Sequence, residues 1–417
     1  MRTISLLMLI VTAGMAQVPP ARTHVLFNLA RPEGGPFPSN RFTVLDPSQL
    51  TRRRVNLPMP DCGVRRSDCA DLQVVNELDG FSVQPRLSIP FDGPIDPGSV
   101  TSRTIFILRL ESTAHPEGPI GTVVGLNQLV WDPSTNTLYA ESDEQLDQHT
   151  VYALIVTSGV LDPRGNPVLA SQEFRNFRRN RHFSEDIQPK QPHDGQYENS
   201  VDEGIQAAVR AGVRDGEVVA ASVFTTQSVT AVLEKVRAQL DSTTAAPANF
   251  LIGRQGQRTV FRLDQIKGIT WNRQTGDNPP VFTASAVAVS LLNAYAPGAV
   301  AGIAFGKYTS PDYMNHPGEY IPPIETLTGI PQVQGLNQVY FNLFLPSTPR
   351  PPAGWPVVIW GHGGSGSKDD NVYNIAASLA SQGLATIAIS AVGRGGGPQG
   401  TLQVNLMTGE SVILPSG

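Results

Sequence analysis

The segment VVIWGHGGSGSKDDN, residues 357–371, concentrates residue types that could do chemistry. An apolar run stops at a glycine-rich turn that holds one histidine, and two aspartates follow. Three readings compete for it. A phosphate loop needs G-x-x-x-x-G-K-[ST], whereas Gly361 to Lys368 reads G-x-x-x-x-G-S-K with Asp369 next, so the lysine is displaced and the hydroxyl missing. Backbone N–H groups exposed by such a turn would suit the oxyanion of acyl transfer, each donor being worth about 3 kcal/mol of barrier. That reading singles out His362, Gly363 and Gly364 as an oxyanion hole. A plain strand-to-helix turn is the third reading, and it stays open. A second glycine run, GGGPQG at 395–400, matches G-x-G-x-x-G, but Pro398 and the strand-like TLQVNL behind it offer no helix N-terminus to hold a phosphate.

The other reactive side chains are Cys62 and Cys69, the only two cysteines, in DCGVRRSDC. Thiols this close in an exported chain point to one local disulfide, with two unlinked thiols as the alternative. A zinc site would want four ligands and no histidine is near, so no metal is expected. Export is read from the N-terminus. Arg2 gives a positive start, ISLLMLIVTAGMA an apolar stretch, and Gly14 and Ala16 small residues for cleavage after Ala16, which makes residues 1–16 a signal peptide. A buried first strand or helix is the alternative, opposed by the polar QVPPART that follows at once. No later run reaches the length of a membrane span, so no transmembrane segment remains after cleavage and the mature protein is expected to be secreted, periplasmic or at the cell surface. A net charge of -5 and no basic run longer than RRR at 52–54 exclude nucleic acid as a partner.

The elements that must position these residues follow from periodicity. With 417 residues, 39 glycines and 35 prolines, more than one turn-rich domain is expected. Between about 70 and 170, short strands alternate with turns: Leu87, Ile89 and Phe91 alternate, TIFILRL is continuous, and LVW and TLYA flank DPSTN. The stretch 175–200 is polar and reads as a linker. Val201, Ile205, Ala208 and Val209, and then Val229, Val232, Leu233, Val236 and Leu240, recur at helical spacing on either side of the strand VVAASVFTT, giving a helix-strand-helix connector over 201–245. VYFNLFLPS alternates like an edge strand. WPVVIW reads as a central parallel strand, Val372, Ile375, Ala376 and Leu379 as the inward face of a helix, and LATIAIS as a second buried strand, which together make a βαβ unit.

Two resemblances can be placed on these residues. IPFDGPIDPGSV, LVWDPSTNTLYAES, LDQHTVYALIV and GVLDPRGNPV resemble successive strands and turns of the bacterial Ig-like domains first known from surface-layer proteins. This implies an all-β sandwich over 17–174 with Tyr152 in its core, a hairpin turn shaped by Asp162, Gly165 and Asn166, and association with a cell surface. The turn offers too few oxygens for calcium. The order VYFNLFLPSTPRPPAGWPVVIWGHGG…NIAASLASQGLATIAI resembles the opening strands of an α/β-hydrolase, with HGG where lipases and esterases carry their oxyanion loop. That implies an incomplete parallel α/β sheet over 246–417, an ester or lipid substrate and no cofactor. The family's G-x-S-x-G nucleophile is absent. Ser365 in GGSGS comes closest but lies in the loop itself, and no histidine follows His362. The catalytic residues are therefore unknown, and the expectation is a truncated, inactive hydrolase portion behind an Ig-like module. The alternative is a non-catalytic exported Ig-like surface or binding protein.

Overall fold

The computed structural model describes residues 22–112, 121–180, 192–316, 320–364 and 366–417. The expected signal peptide and Ser365 lie outside the described residues. The chain divides into two compact units, one running to Lys235 and including Pro323–Ile330, the other formed by Val236–Pro322 and Pro331–Gly417.

Unit 1 contains β1 (His24–Val25), β2 (Thr43–Leu45), β3 (Arg53–Val55), α1 (Arg66–Val75), β4 (Arg86–Pro90), β5 (Ile105–Ser112), β6 (Val123–Val124), β7 (Leu126–Asp132), β8 (Thr137–Ser142), β9 (Thr150–Thr157), β10 (Leu169–Ala170), α2 (Gln172–Asn180), α3 (Pro192–Arg210) and β11 (Val218–Thr225). The antiparallel sheets β4-β8-β7 and β11-β9-β5-β6 share one core. Into it point Leu87 and Ile89, Ile105 and Ile107, Leu138, Tyr152, Leu154 and Phe224. The intervening residues Phe106, Leu108, Ala153, Ile155 and Val223 face the other way, against Phe174 and Phe177 of α2 and Val201, Ile205 and Ala208 of α3. Burial on both faces explains why TIFILRL and VVAASVFTT are continuous apolar runs rather than alternating ones. Gly204 of α3 permits the close approach, since a Cβ there would sit 2.9 Å from that of Ala153. The expected hairpin turn forms: Gly165 has φ +78, and Asp162 Oδ1 accepts from the N–H groups of Arg164 and Asn166 at 2.9 and 2.8 Å.

Two expectations for this region change. The ends of the expected 175–200 linker are helical, in α2 and α3, because α2 has an apolar edge of Phe174 and Phe177 to bury. The supposed connector strand β11 pairs with β9 from Thr225 opposite Val151 to Val218 opposite Thr157, and so completes the sandwich. Segment Pro323–Ile330 is held in the same unit by Thr326, whose N–H donates to Gln49 Oε1 at 2.8 Å and whose hydroxyl donates to Asp79 Oδ2 at 2.6 Å. In α4 (Ala231–Ser242), which contains the unit boundary, the expected packing stripe is largely exposed. Leu233 is 58% and Leu240 40% exposed, as is Val229 before the helix at 43%, while Val232 and Val236 are half-buried.

Unit 2 contains β12 (Val260–Arg262), β13 (Ile266–Asp277), β14 (Pro280–Val287), α5 (Leu291–Tyr295), β15 (Val300–Asp312), β16 (Gly335–Pro346), β17 (Val357–Trp360), α6 (Val372–Ser381), β18 (Ala385–Ile389), β19 (Thr401–Leu406) and β20 (Ser411–Pro415). One sheet has the order β12-β15-β16-β18-β17 and the other β14-β13-β19-β20. The parallel α/β-hydrolase-like sheet expected over 246–417 is not formed. Only β17 and β18, joined through α6, pair in parallel, and the other pairings of both sheets are antiparallel. The physical reason is that β18 takes β16, a long hairpin partner of β15, as its other neighbour. β17 is therefore an edge strand rather than a central one, with Ile359 78% exposed. Conversely β16, expected at an edge, lies inside the sheet. The buried face of α6 is Val372, Tyr373, Ala376, Ala377 and Ala380, rotated from the expected one so that Ile375 is exposed. Its alanines let the helix lie close to the sheet.

Candidate functional site

Residues 361–371 join β17 to α6. His362, Gly363 and Gly364 lie together in this loop, as their contiguity requires, and the three glycines Gly361, Gly363 and Gly364 are exposed. The imidazole is a strut. His362 Nε2 accepts the Ala391 N–H at 2.9 Å, which assigns the ring proton to Nδ1, and Nδ1 then donates to the Gly363 carbonyl at 2.8 Å. Gly366 N–H donates to the same carbonyl at 3.0 Å. Both ring nitrogens thus tie the loop to itself and to the segment after β18, and neither is left to take a proton from a nucleophile. A Cβ built on Gly363 or Gly364 meets nothing within 4 Å, and neither residue has the left-handed backbone that would demand glycine.

Behind the exposed turn lies a polar cluster that reading the sequence missed. Lys368 Nζ and Asp369 Oδ2 are 2.7 Å apart with side chains 2% and 0% exposed. Asn342 of β16 donates to Asp369 Oδ1 at 2.7 Å and to the Lys368 carbonyl at 2.9 Å. Ser367 Oγ accepts the Asp369 N–H at 3.1 Å and donates to Asp370 Oδ2 at 2.9 Å, while Ser390 Oγ accepts the Lys368 N–H at 3.3 Å. Asp369 and Asp370 lie just before the Asn371 N-cap of α6, near the positive end of the helix dipole, which favours negative charge. Tyr373, one turn on, is fully buried, and its hydroxyl has no hydrogen-bond partner among the described residues. Burial pushes that hydroxyl well above the usual phenol range, with the carboxylates of Asp369 and Asp370 adding to the effect. The cluster fixes the loop and cannot meet a solute without opening. The signal for it in the sequence was the S-K-D-D run before the α6 stripe, while nothing in the alternation of VYFNLFLPS singled out Asn342.

Cys62 and Cys69, the latter in α1, are joined in a disulfide, as expected from their spacing. At the 162–166 turn both carboxylate oxygens of Asp162 accept from N–H donors of Arg164 and Asn166. Among the described residues no group of three or more His, Cys, Asp or Glu could hold a metal ion, and no helix is long and apolar enough to cross a membrane.

A two-sheet sandwich with short strands and these turns is the arrangement the comparisons with known proteins address. Residues 70–178 match the family model of the bacterial Ig-like domain. The matched stretch holds strands β4 to β10 and most of α2, so the Ig-like domain draws β11 of its larger sheet from beyond the match. No curated protein matches the chain. Among solved structures, the N-terminal part of the bacterial S-layer protein SbsC is similar to 68% of this chain at 10% identity, with a TM-score of 0.18. The chain covers 45% of that structure's length. None of these comparisons points to an α/β-hydrolase.

Proposed function

We propose that this is a non-catalytic exported protein whose Ig-like domain attaches it to, or binds at, a cell surface. The observation that carries the reading is the bacterial Ig-like match over 70–178, which holds most of the strands of the sandwich and the greater part of its core. The disulfide in the same unit supports an oxidising compartment. The use of both His362 nitrogens as backbone struts supports a positional rather than a catalytic part for the GHGG loop. Cell fractionation of the full chain tests the reading. The protein should be found in the extracellular or cell-envelope fraction, be cleaved by protease added to intact cells, and hydrolyse p-nitrophenyl esters no faster than the heat-denatured protein. Cytosolic protein with free thiols would overturn the export reading. Ester turnover abolished by His362→Ala would overturn the non-catalytic one.

A further inference from the structure

Four arginines from two separate parts of unit 1 line one cleft. Arg22 precedes β1, and Arg175, Arg178 and Arg179 are on α2, around a cleft of about 740 Å³ whose walls include Leu169, Val218 and Val219. Among the described residues no aspartate or glutamate lines it, although acidic residues outnumber basic ones in the chain, 36 to 31. Each guanidinium is anchored by a few bonds. Arg22 donates to the Pro167 carbonyl at 2.8 Å, Arg175 to the Ala170 carbonyl and to Gln172 Oε1, Arg178 to the carbonyl and carboxylate of Asp215, and Arg179 to Asn176 Oδ1. A guanidinium carries more N–H donors than these bonds use, and in Arg22, Arg175 and Arg179 the bonds go to neutral oxygens and cancel no charge.

The position of Arg178 and Arg179 in the last turn of α2 is favourable to the helix dipole, which accounts for two of the four. It does not account for Arg22, which comes from another element, nor for Arg175. Spaced at i, i+3 and i+4 on one face, the helix arginines also repel one another, a cost that an anion between them would remove. The geometry points to a binding site for a small organic phosphate: the phosphate dianion meets the arginine forks, whose planar donors suit phosphate oxygens, and the organic group lies on the apolar wall of Leu169, Val218 and Val219.

Isothermal titration calorimetry of the full chain in phosphate-free buffer tests it with phenyl phosphate and inorganic phosphate. Phenyl phosphate should bind with a Kd of about 1 mM or tighter, and each of Arg175→Gln and Arg179→Gln should weaken it about tenfold, the usual worth of one charge-assisted hydrogen bond. Arg103→Gln, exposed and outside the cleft, should change nothing. Arg22→Gln repeats the test from a different element if a helix variant fails to fold. No binding heat at about 10 mM phenyl phosphate, or binding indifferent to all three cleft substitutions, overturns the site. Equal affinity for inorganic phosphate overturns the role given to the apolar wall.

Discussion

Removing the carboxylate from the buried Lys368–Asp369 pair should be among the most costly single changes in unit 2. In Asp369→Ala the Lys368 ammonium, 2% exposed, loses its partner at 2.7 Å, and the Asn342 amide loses its acceptor at the same distance. An uncompensated buried charge costs about 3–5 kcal/mol, which for a unit of this size is a fall in Tm of about 6–20 °C. Lys368→Met should cost less, because the carboxylate left behind keeps the Asn342 N–H and stands at the start of α6. The double variant Lys368→Met/Asp369→Leu removes both charges at once and should return to within about 1 kcal/mol of the wild type, since a buried pair adds little over apolar residues of similar volume. Urea unfolding followed by tryptophan fluorescence reads this out, because Trp271, Trp355 and Trp360 report on unit 2 while Trp131 lies in unit 1. A loss below about 1 kcal/mol in Asp369→Ala would show that the ammonium reaches water and that the pair is not dry. A larger loss for Lys368→Met than for Asp369→Ala would refute the share assigned to the helix terminus.

Three further outcomes are expected. Gly363→Ala should be neutral or stabilise by up to about 1 kcal/mol, as it meets open space and stiffens the unfolded chain, whereas Gly302→Ala, whose Cβ would lie 2.5 Å from the Phe261 carbonyl, should destabilise by about 1–3 kcal/mol; paired urea titrations separate the two. Replacing Cys62 and Cys69 together by serine should cost about 2 kcal/mol through the short loop that the bond closes, read as a lower Tm that reducing agent does not lower further. At Asp162 burial pushes the carboxyl up, but the hydrogen bonds from Asn166 and Arg164 and the charge of Arg164 outweigh it and hold the carboxyl below the usual range. The stability this contributes is therefore full above the unfolded-state pKa and lost as pH falls through the folded one. The Tm gap between wild type and Asp162→Asn should accordingly narrow from pH 7 to pH 3, and a gap independent of pH would contradict the assignment.

The Ig-like sandwich was legible because its signals are local. Alternation at Leu87 and Ile89, the hairpin residues Asp162, Gly165 and Asn166, and the continuous run of β5 are each read from a few neighbouring residues. The sheet of unit 2 was not, because pairing is decided far along the chain. VVIW and ATIAI correctly suggest two strands flanking a helix, yet nothing within either run says that β18 will take an antiparallel partner from residues 341–344. One parallel pair inside an otherwise antiparallel sheet therefore looked, from sequence, like the start of a parallel one.

The same limit governs the polar residues, and it links the two sites. Nothing local marks Lys368, Asp369 and Asn342 as buried, since charge and amide groups usually sit in solvent; only the return of β16 beside β18 brings an amide to the buried carboxylate. The arginines of α2 were placed in a linker because Phe174 and Phe177 alone make a thin apolar stripe, and it is the packing of those rings on Phe27 that turns RNFRRN into a helix with one basic face. At 368–369 the charges precede a short helix and at 175–179 they lie on one, and they had opposite fates. At residues 368–369 each charge found its counter-ion within the chain, so the cluster closed and became structure. At Arg22, Arg175 and Arg179 the bonds among the described residues go only to neutral oxygens, so among those residues the positive charge stays uncompensated at the rim of a cleft. A charge the fold does not neutralise is a standing attraction for an anion from outside, and that difference makes the basic cleft of unit 1, rather than the glycine loop of unit 2, the better place to look for a ligand.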